Sequence, residues 1–137
     1  MGVRRDGREA ALQLLYLCDN CHIDGNDALM LLNAFELQKA SIQFAEKLFK
    51  GAWDKKDLLD KIITASTDNW DIARMAIVDR NILRIAAFEI VDMHETPINV
   101  VIDEAVEIAK RFSTSDSSKF VNGVLDKLKS ERKKSLI

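Results

Sequence analysis

Apolar residues recur at helical spacing along almost the whole of this 137-residue chain. Repeats at i, i+3, i+4 and i+7 place such residues on one face of a helix, which predicts amphipathic helices. The predicted helices cover residues 4–20, 28–33, 36–53, 55–65, 70–91 and 97–112, with a last one starting near 119. No segment alternates as a strand would, and one proline and five glycines provide few breaks. We therefore predict an all-α fold of about seven helices.

Polar residues divide this pattern at one point. The four residues 66–69 are rich in side chains that cap helices, and no apolar repeat crosses them. A chain of this length forms one domain, so we assign 1–137 to a single unit. Within it, the break predicts two small packed sub-bundles, about 1–66 and 67–137.

Local signals refine the arrangement of the helices. The segment 70–91 is apolar on more than one side, which predicts a central helix, bent or broken near 78–81. Thr96 and Pro97 predict a helix start, with threonine as the N-cap and proline in the first position. Core stripes are expected at Ala11, Leu14, Leu15 and Cys18, at Leu58, Leu59, Ile62 and Ile63, and at Ile98, Val101, Ile102, Ala105, Ala109 and Phe112.

The last predicted helix contains a residue that does not fit its core stripe, which consists of Val121, Val124, Leu125 and Leu128. Phe120 lies about 90° away from this stripe, on a face with Gly123 and Lys127. Glycine inside a helix costs about 1 kcal/mol relative to alanine, so it often marks close approach by another group. An aromatic ring beside cations suits a base and a phosphate of single-stranded nucleic acid. The alternative is a second helix that packs there and buries Phe120.

The start of this helix and the ends of the chain carry further polar signals. The serines and Asp116 of the connector 113–118 are expected to cap the last helix. The net charge is only −2, yet cations cluster at both ends of the chain, at Arg4, Arg5, Arg8, Lys127, Lys129, Arg132, Lys133 and Lys134. If the ends meet, they form one basic patch on an acidic body. The alternative is that these cations serve solubility and helix ends.

The cysteines offer a candidate cofactor site, which the context disfavours. Cys18, Cys21 and His22 match the C-x-x-C-H pattern of c-type haem attachment, but no signal-peptide core accompanies it. The pair closes a helix, whereas a redox pair normally opens one, and structural zinc needs four ligands. We therefore predict two structural cysteines, with no metal and no cofactor.

Catalytic and membrane functions have equally little support in the sequence. No nucleophile elbow, phosphate-binding loop or metalloprotease motif is present. Asp103 and Glu107 share a helix face, but a solvated acidic face is the ordinary interpretation, and His94 is expected near a helix end. No apolar run approaches the ~18 residues of a membrane span. These observations predict a cytoplasmic protein that is not an enzyme.

Several segments together resemble the NusB family of bacterial transcription antitermination factors. They are Arg4–Tyr16, Asp79–Glu89 and a third region that runs over Thr96–Ala105 and on to Lys119–Lys127. The most specific element is the run Lys-Phe-Val-Asn-Gly-Val-Leu in the last of these. The order and spacing of the segments fit the family, and the match spans nearly the whole chain.

This resemblance implies a fold of two small helical bundles and a function in transcription. It implies that the chain binds NusE, a small-subunit ribosomal protein, and that the pair recognises single-stranded boxA RNA. The complex would join RNA polymerase and promote read-through in ribosomal RNA operons. By position, the implied RNA-binding residues are Arg4, Arg5, Arg8, Lys119 and Phe120, with Gln13 and Asp116 as weaker candidates. The residues implied to meet NusE are Tyr16, Asp79 and Arg84.

One departure and two alternatives accompany the resemblance. Asp6 interrupts the arginine run where family members are often basic, which affects the expected strength of the RNA contact. One alternative is an RNA-binding module of the kind fused to ribosomal RNA cytosine methyltransferases. The other is a self-associating helical protein, a homodimer in which Phe120 and Gly123 form the interface.

Overall fold

The structure, a computed structural model, describes residues 2–68 and 70–133. Within these residues the regular structure consists of seven α-helices and one short 3₁₀ helix, without a strand. They are α1 (Val3–Cys21), α2 (Gly25–Leu32), α3 (Lys39–Asp54), α4 (Lys56–Ala65), the 3₁₀ helix (Ile72–Arg74), α5 (Ile77–Asp92), α6 (Ile98–Phe112) and α7 (Ser115–Lys133). The predicted all-α fold is confirmed.

Helix α5 lies at the centre of the fold, in contact with α1, α3, α4, α6 and α7. Every residue from 81 to 90 is buried, which explains why this segment shows no single apolar face. Its charged residues Arg84 and Glu89 are buried too, so each needs an ion pair to offset the loss of water. The prediction of a central helix is confirmed, whereas the division into two sub-bundles stays a prediction.

The approach to α5 differs from the sequence prediction. A helix was expected from Trp70 onwards, with a bend near 78–81. Instead, the 3₁₀ helix is followed by extended backbone at Met75 and Ala76, with ψ of 150° and 140°. Extended backbone lets the Met75 side chain reach the core, where it is buried. The break therefore precedes α5, which is a single continuous helix.

Two helix starts also differ from the prediction. Pro97 is the N-cap of α6, with φ −59° and ψ 140°, so Thr96 lies one residue outside the cap and Ile98 is the first helical residue. At α7, the hydroxyl oxygen of Thr114 accepts a hydrogen bond from the Ser117 N–H at 3.0 Å. Threonine therefore caps this helix. Ser115, Asp116, Ser117 and Ser118 lie in its first turn, and Ser113 is the C-cap of α6.

Most members of the predicted core stripes are buried, Ile62 and Ile98 are partly buried, and two members are exposed. Leu58 of α4 is 53% exposed and Phe112, the last residue of α6, is 38% exposed. Both lie at the edge of their stripe, where the neighbouring helix does not cover them. Phe112 instead borders a surface groove beside α1.

Candidate nucleic-acid interface

A row of exposed ion pairs lies where α1 runs beside α6, and we call it the α1–α6 strip. Arg5 donates hydrogen bonds of 3.1 and 2.6 Å to the Glu104 carboxylate, and Arg111 donates one of 3.0 Å to Glu9. The hydrogen bond from Arg5 lowers the pKa of Glu104. Both guanidiniums remain accessible, with side chains 48% and 67% exposed. Exposed pairs of this kind contribute little stability, so the cations can exchange a carboxylate for a phosphate at small cost.

The three arginines at the start of α1 have different environments. Arg4 is exposed, with its guanidinium carbon 4.7 Å from the centre of the Phe44 ring. Arg8 is only 3% exposed and donates hydrogen bonds of 2.9 and 2.7 Å to the two carboxylate oxygens of Glu89. This two-point contact satisfies both buried charges. Arg8 therefore ties α1 to α5, and only Arg4 and Arg5 present their cations to solvent.

A largely apolar groove of about 520 Å³ follows α1 beyond the strip, and we call it the α1 groove. Gln13 and Tyr16 extend into it from α1, and Phe112 closes one side. Its lining residues are Leu12, Gln13, Tyr16, Leu17, Leu31, Ala34, Phe35, Val78 and Phe112. Tyr16 is 38% exposed there, so its ring is available to a partner.

The face of α7 that carries Phe120, Gly123 and Lys127 is exposed, and we call it the α7 face. Phe120 is partly buried against the edge of the core, and its ring contacts Trp70, with ring centroids 6.3 Å apart and planes at 57°. A Cβ built on Gly123 would meet no atom within 4 Å. Lys119 is exposed beside Phe120. The sequence analysis expected another group to approach this glycine closely, and no group of the described chain does so.

The predicted RNA-binding residues fall into two groups. Arg8 contacts Glu89 near the end of α5, whereas Ser117 at the start of α7 contacts Asp79 near the beginning of α5. Asp79 and Glu89 are ten residues apart on α5, which is about 15 Å at 1.5 Å per residue. The exposed arginines of α1 are thus at one end of the central helix and the start of α7, with its Asp116, at the other. Gln13 lies between them in the α1 groove.

Arg84, one of the residues expected to meet a partner, lies inside a buried ionic cluster. It donates to Asp60 at 2.7 and 2.8 Å and to Asp19 at 2.9 Å. Arg80 and Asn81 donate to the same Asp19 at 2.6 to 3.0 Å. Burial raises the pKa of Asp19, but these hydrogen bonds and the arginine charges outweigh it and lower the pKa to about 2. The cluster links α1, α4 and α5.

Asp79 is buried as well, with 7% exposure. One carboxylate oxygen accepts a hydrogen bond from the Ser117 hydroxyl at 2.9 Å, and the other has no partner among the described residues. The resemblance implied that Asp79 meets NusE. The structure places its side chain between α5 and α7, so a lysine substitution there would disturb the fold as well as any contact with a partner protein.

The basic residues at the C-terminal end turn back onto the protein. Lys129 donates to the side chain of Asn99 at 2.7 Å, and Arg132 donates to the backbone carbonyl of Ile90. None of the described contacts joins them to the arginines of α1. The side chain of Lys133, and Lys134 as a whole, lie outside the described residues. A single patch formed by both ends therefore remains a prediction.

Cys18, Cys21 and His22 lie at the C-terminal end of α1. Cys18 is buried in the core of α1, and burial raises the pKa of its thiol. Cys21 is exposed at the last turn of the helix, and His22 closes that helix with φ 58°. Within residues 2–68 and 70–133, no three His, Cys, Asp or Glu side chains are placed to hold a metal ion. In that same part of the chain, no helix is long and apolar enough to cross a membrane.

Comparison with known proteins places this geometry in a family. The family model described as the NusB family matches residues 5–130. The chain belongs to the NusB family. It is 47% identical to the transcription antitermination protein NusB of Elusimicrobium minutum (strain Pei191), over 97% of each chain. NusB proteins are non-enzymatic antitermination factors, in agreement with the prediction that this chain is not an enzyme.

Solved NusB structures have the same fold. T. maritima NusB is 34% identical and superposes with a TM-score of 0.84, covering 93% of this chain and 91% of that one. A chain from a crystal structure of the antitermination factors NusB and NusE in complex with dsRNA is 25% identical. It superposes with a TM-score of 0.83, over 93% and 96% of the two chains.

Two residues of this NusB-family surface were not predicted from the sequence. Trp70 is 54% exposed beside Phe120, but the sequence placed it in the apolar pattern of a helix. Arg111 joins the α1–α6 strip through Glu9, a contact between residues far apart in the chain. For Trp70, the sequence offered a usable signal, because this aromatic residue directly follows the polar break at 66–69. No local pattern pointed to Arg111.

Proposed function

We propose that this chain binds single-stranded boxA RNA as a heterodimer with NusE and acts in the cytoplasm as a transcription antitermination factor. In this proposal the heterodimer joins RNA polymerase and promotes transcription of ribosomal RNA operons. Family membership supports the antitermination role, and a structural neighbour containing NusB, NusE and dsRNA supports the two partners.

The observation that carries the proposal is the exposed α7 face. Phe120 and Trp70 offer two aromatic surfaces, and stacking of a base on such a ring contributes about 1–3 kcal/mol. Gly123 leaves the adjacent backbone open to a ligand. Lys119 is exposed beside the rings, where it can meet a phosphate. These are the components that single-strand binders combine, namely stacking platforms and cations.

The α1–α6 strip supplies the second group of phosphate contacts. Arg4, Arg5 and Arg111 can reach phosphates, which dominate affinity without reading sequence. Gln13, beyond the strip, is placed to contact the RNA between the two groups. Arg8 acts indirectly, because it fixes α1 against α5 and so positions the exposed arginines.

The charge of the chain explains the need for a partner. A net charge of −2, with strip cations already paired to carboxylates, predicts weak RNA binding by the chain alone. A basic ribosomal protein adds phosphate contacts. The α1 groove suits NusE because it is apolar and contains the half-exposed Tyr16. Asp79 and Arg84 support this surface from inside, since both are buried.

The proposal is tested by fluorescence anisotropy of a labelled boxA RNA. The RNA is titrated with the chain alone and with the chain plus NusE, at two salt concentrations. We expect weak binding by the chain alone and tight, salt-sensitive binding by the pair. Trp70→Ala should weaken binding without loss of fold, since this ring is more exposed than that of Phe120. The absence of binding in both titrations would reject the proposal and direct attention to self-association through the α7 face.

A further inference from the structure

A second groove continues from the α7 face, between α4 and α7. It has a volume of about 520 Å³ and is bordered by Lys61 and Ser66 on one side and by Lys127 and Glu131 on the other. We call it the α4–α7 groove. It is separate from the α1–α6 strip and from the α1 groove, whose lining residues it does not share.

The groove and the α7 face form one continuous path. Along α7, Phe120, Gly123 and Lys127 succeed one another at helical spacing on the same side. On the opposite wall, Ser66 at the end of α4 faces the lysine, and Trp70 a few residues later contacts the phenylalanine. The path from Phe120 to Lys127 is about 10 Å long at 1.5 Å per residue.

The charges along this path differ from those of the α1–α6 strip. Lys61 and Lys127 are exposed, and among the described residues neither takes part in an ion pair or a side-chain hydrogen bond. In the strip, by contrast, Arg5 and Arg111 are both paired with glutamates. The two lysines can therefore bind an anion without first breaking a salt bridge. Glu131 stands at the far end, where it would repel a phosphate and so limits the path.

We propose that the α4–α7 groove holds an extension of the bound RNA strand beyond Phe120. The aromatic pair stacks one base, the open backbone at Gly123 lets the strand pass, and Lys61 and Lys127 hold the phosphates that follow. A path of about 10 Å accommodates about three stacked nucleotides at ~3.4 Å each. This inference rests on the proposed RNA-binding function and adds a specific route and two specific cations to it.

The experiment measures how RNA affinity depends on the length of the RNA and on the two lysines. A boxA RNA is lengthened by about three uridines at its 5′ end or at its 3′ end, the number that fills the path. Anisotropy titrations use the chain with NusE, either unchanged or as the double variant Lys61→Ala/Lys127→Ala. The matched control is Lys39→Ala/Lys50→Ala, which removes the same charge from α3.

We expect one of the two extensions to raise affinity by about fivefold to tenfold at low salt. The gain should disappear in the α4–α7 variant and persist in the α3 control. The plot of log affinity against log salt concentration should become shallower by about 1.4 in the variant, since each lost phosphate contact on a single strand contributes about 0.7 to the magnitude of the slope.

Other outcomes separate this inference from the proposed function. If the unextended RNA binds and neither extension adds affinity, or if the gain survives in the double variant, the groove does not hold RNA. If the double variant loses NusE association with unchanged RNA affinity, the groove holds protein and the inference is wrong. If no RNA binds at all, the proposed function fails together with the inference.

Discussion

Two helix-interior glycines have opposite surroundings, and the comparison separates the interior of the protein from its binding surface. Gly51 lies in α3, where a Cβ would come within 2.0 Å of the Phe88 ring of α5. Gly123 lies in α7, where a Cβ would meet nothing within 4 Å. The fold therefore requires the absence of a side chain at Gly51. At Gly123 the fold gains nothing from the glycine, which points to a ligand outside the chain.

Two arginines of one short motif differ in the same way. Arg8 is buried in a two-point contact with Glu89, whereas Arg5 lies in an exposed pair with Glu104. Both are cations near the start of α1, and a sequence pattern assigns them one role. Burial divides them into a residue that holds α1 on α5 and a residue that is available to phosphate. The following substitutions test this division, from the largest expected effect to the smallest.

Arg8→Ala should give the largest loss of stability. It leaves the Glu89 carboxylate buried without its partner, and breaking a buried pair in this way costs about 3–5 kcal/mol. Urea denaturation followed by circular dichroism measures the change. Arg5→Ala is the control and should unfold almost as the unchanged protein does, while binding RNA less tightly. A stable Arg8→Ala protein that had lost only RNA affinity would show that Arg8 contacts RNA directly.

Gly51→Ala should destabilise the protein by about 3 kcal/mol. The added methyl group must displace the Phe88 ring from a well-packed contact between α3 and α5, and overpacking of this kind costs about 1–3 kcal/mol. Thermal unfolding provides the measurement. The double variant Gly51→Ala/Phe88→Leu should recover part of the loss, because the smaller side chain makes room. No loss in the single variant would mean that the two helices are not in close contact.

Asp19→Asn should destabilise the protein by about 2 kcal/mol at neutral pH. The pKa of Asp19 is lowered to about 2 in the folded protein, against about 3.9 in an unfolded chain. A lowered pKa means that the ionised carboxylate stabilises the fold above about pH 4, and that this contribution is lost as pH falls towards 2. Denaturation at several pH values should therefore show the two proteins converging below pH 4. A constant difference across that range would contradict the role of the charge.

Gly123→Ala should have the smallest effect and the opposite sign. Alanine in an exposed helix interior is favoured over glycine by about 1 kcal/mol, and no atom obstructs its methyl group. The free energy of unfolding should therefore rise. A decrease would show that the chain itself occupies this space, and the contrast with Gly51 would fail.

Periodicity predicted the fold well because most helices are amphipathic, and α5 was recognisable as central because it is apolar on several sides. The helix starts were less accurate. The serines beside Thr114 have a similar capping ability, and Pro97 takes the N-cap position of α6 without a side-chain hydrogen bond. The off-stripe face of α7 is exposed at Gly123 and Lys127, whereas Phe120 is partly buried against the core. The burial of Arg8 and Arg84 could not be predicted, because their partners are supplied by other helices.

The most direct test of the exposed α7 face is the affinity of Gly123→Leu for boxA RNA in the presence of NusE, measured beside Gly123→Ala. A Cβ at this position meets no atom within 4 Å, and alanine and leucine both favour a helix over glycine, so both variants should be folded and at least as stable as the unchanged chain. We predict that the leucine fills the space of the RNA and weakens binding about tenfold or more, equivalent to about 1.4 kcal/mol, while the alanine changes little. Binding of the leucine variant with unchanged affinity would contradict the assignment of this face to RNA.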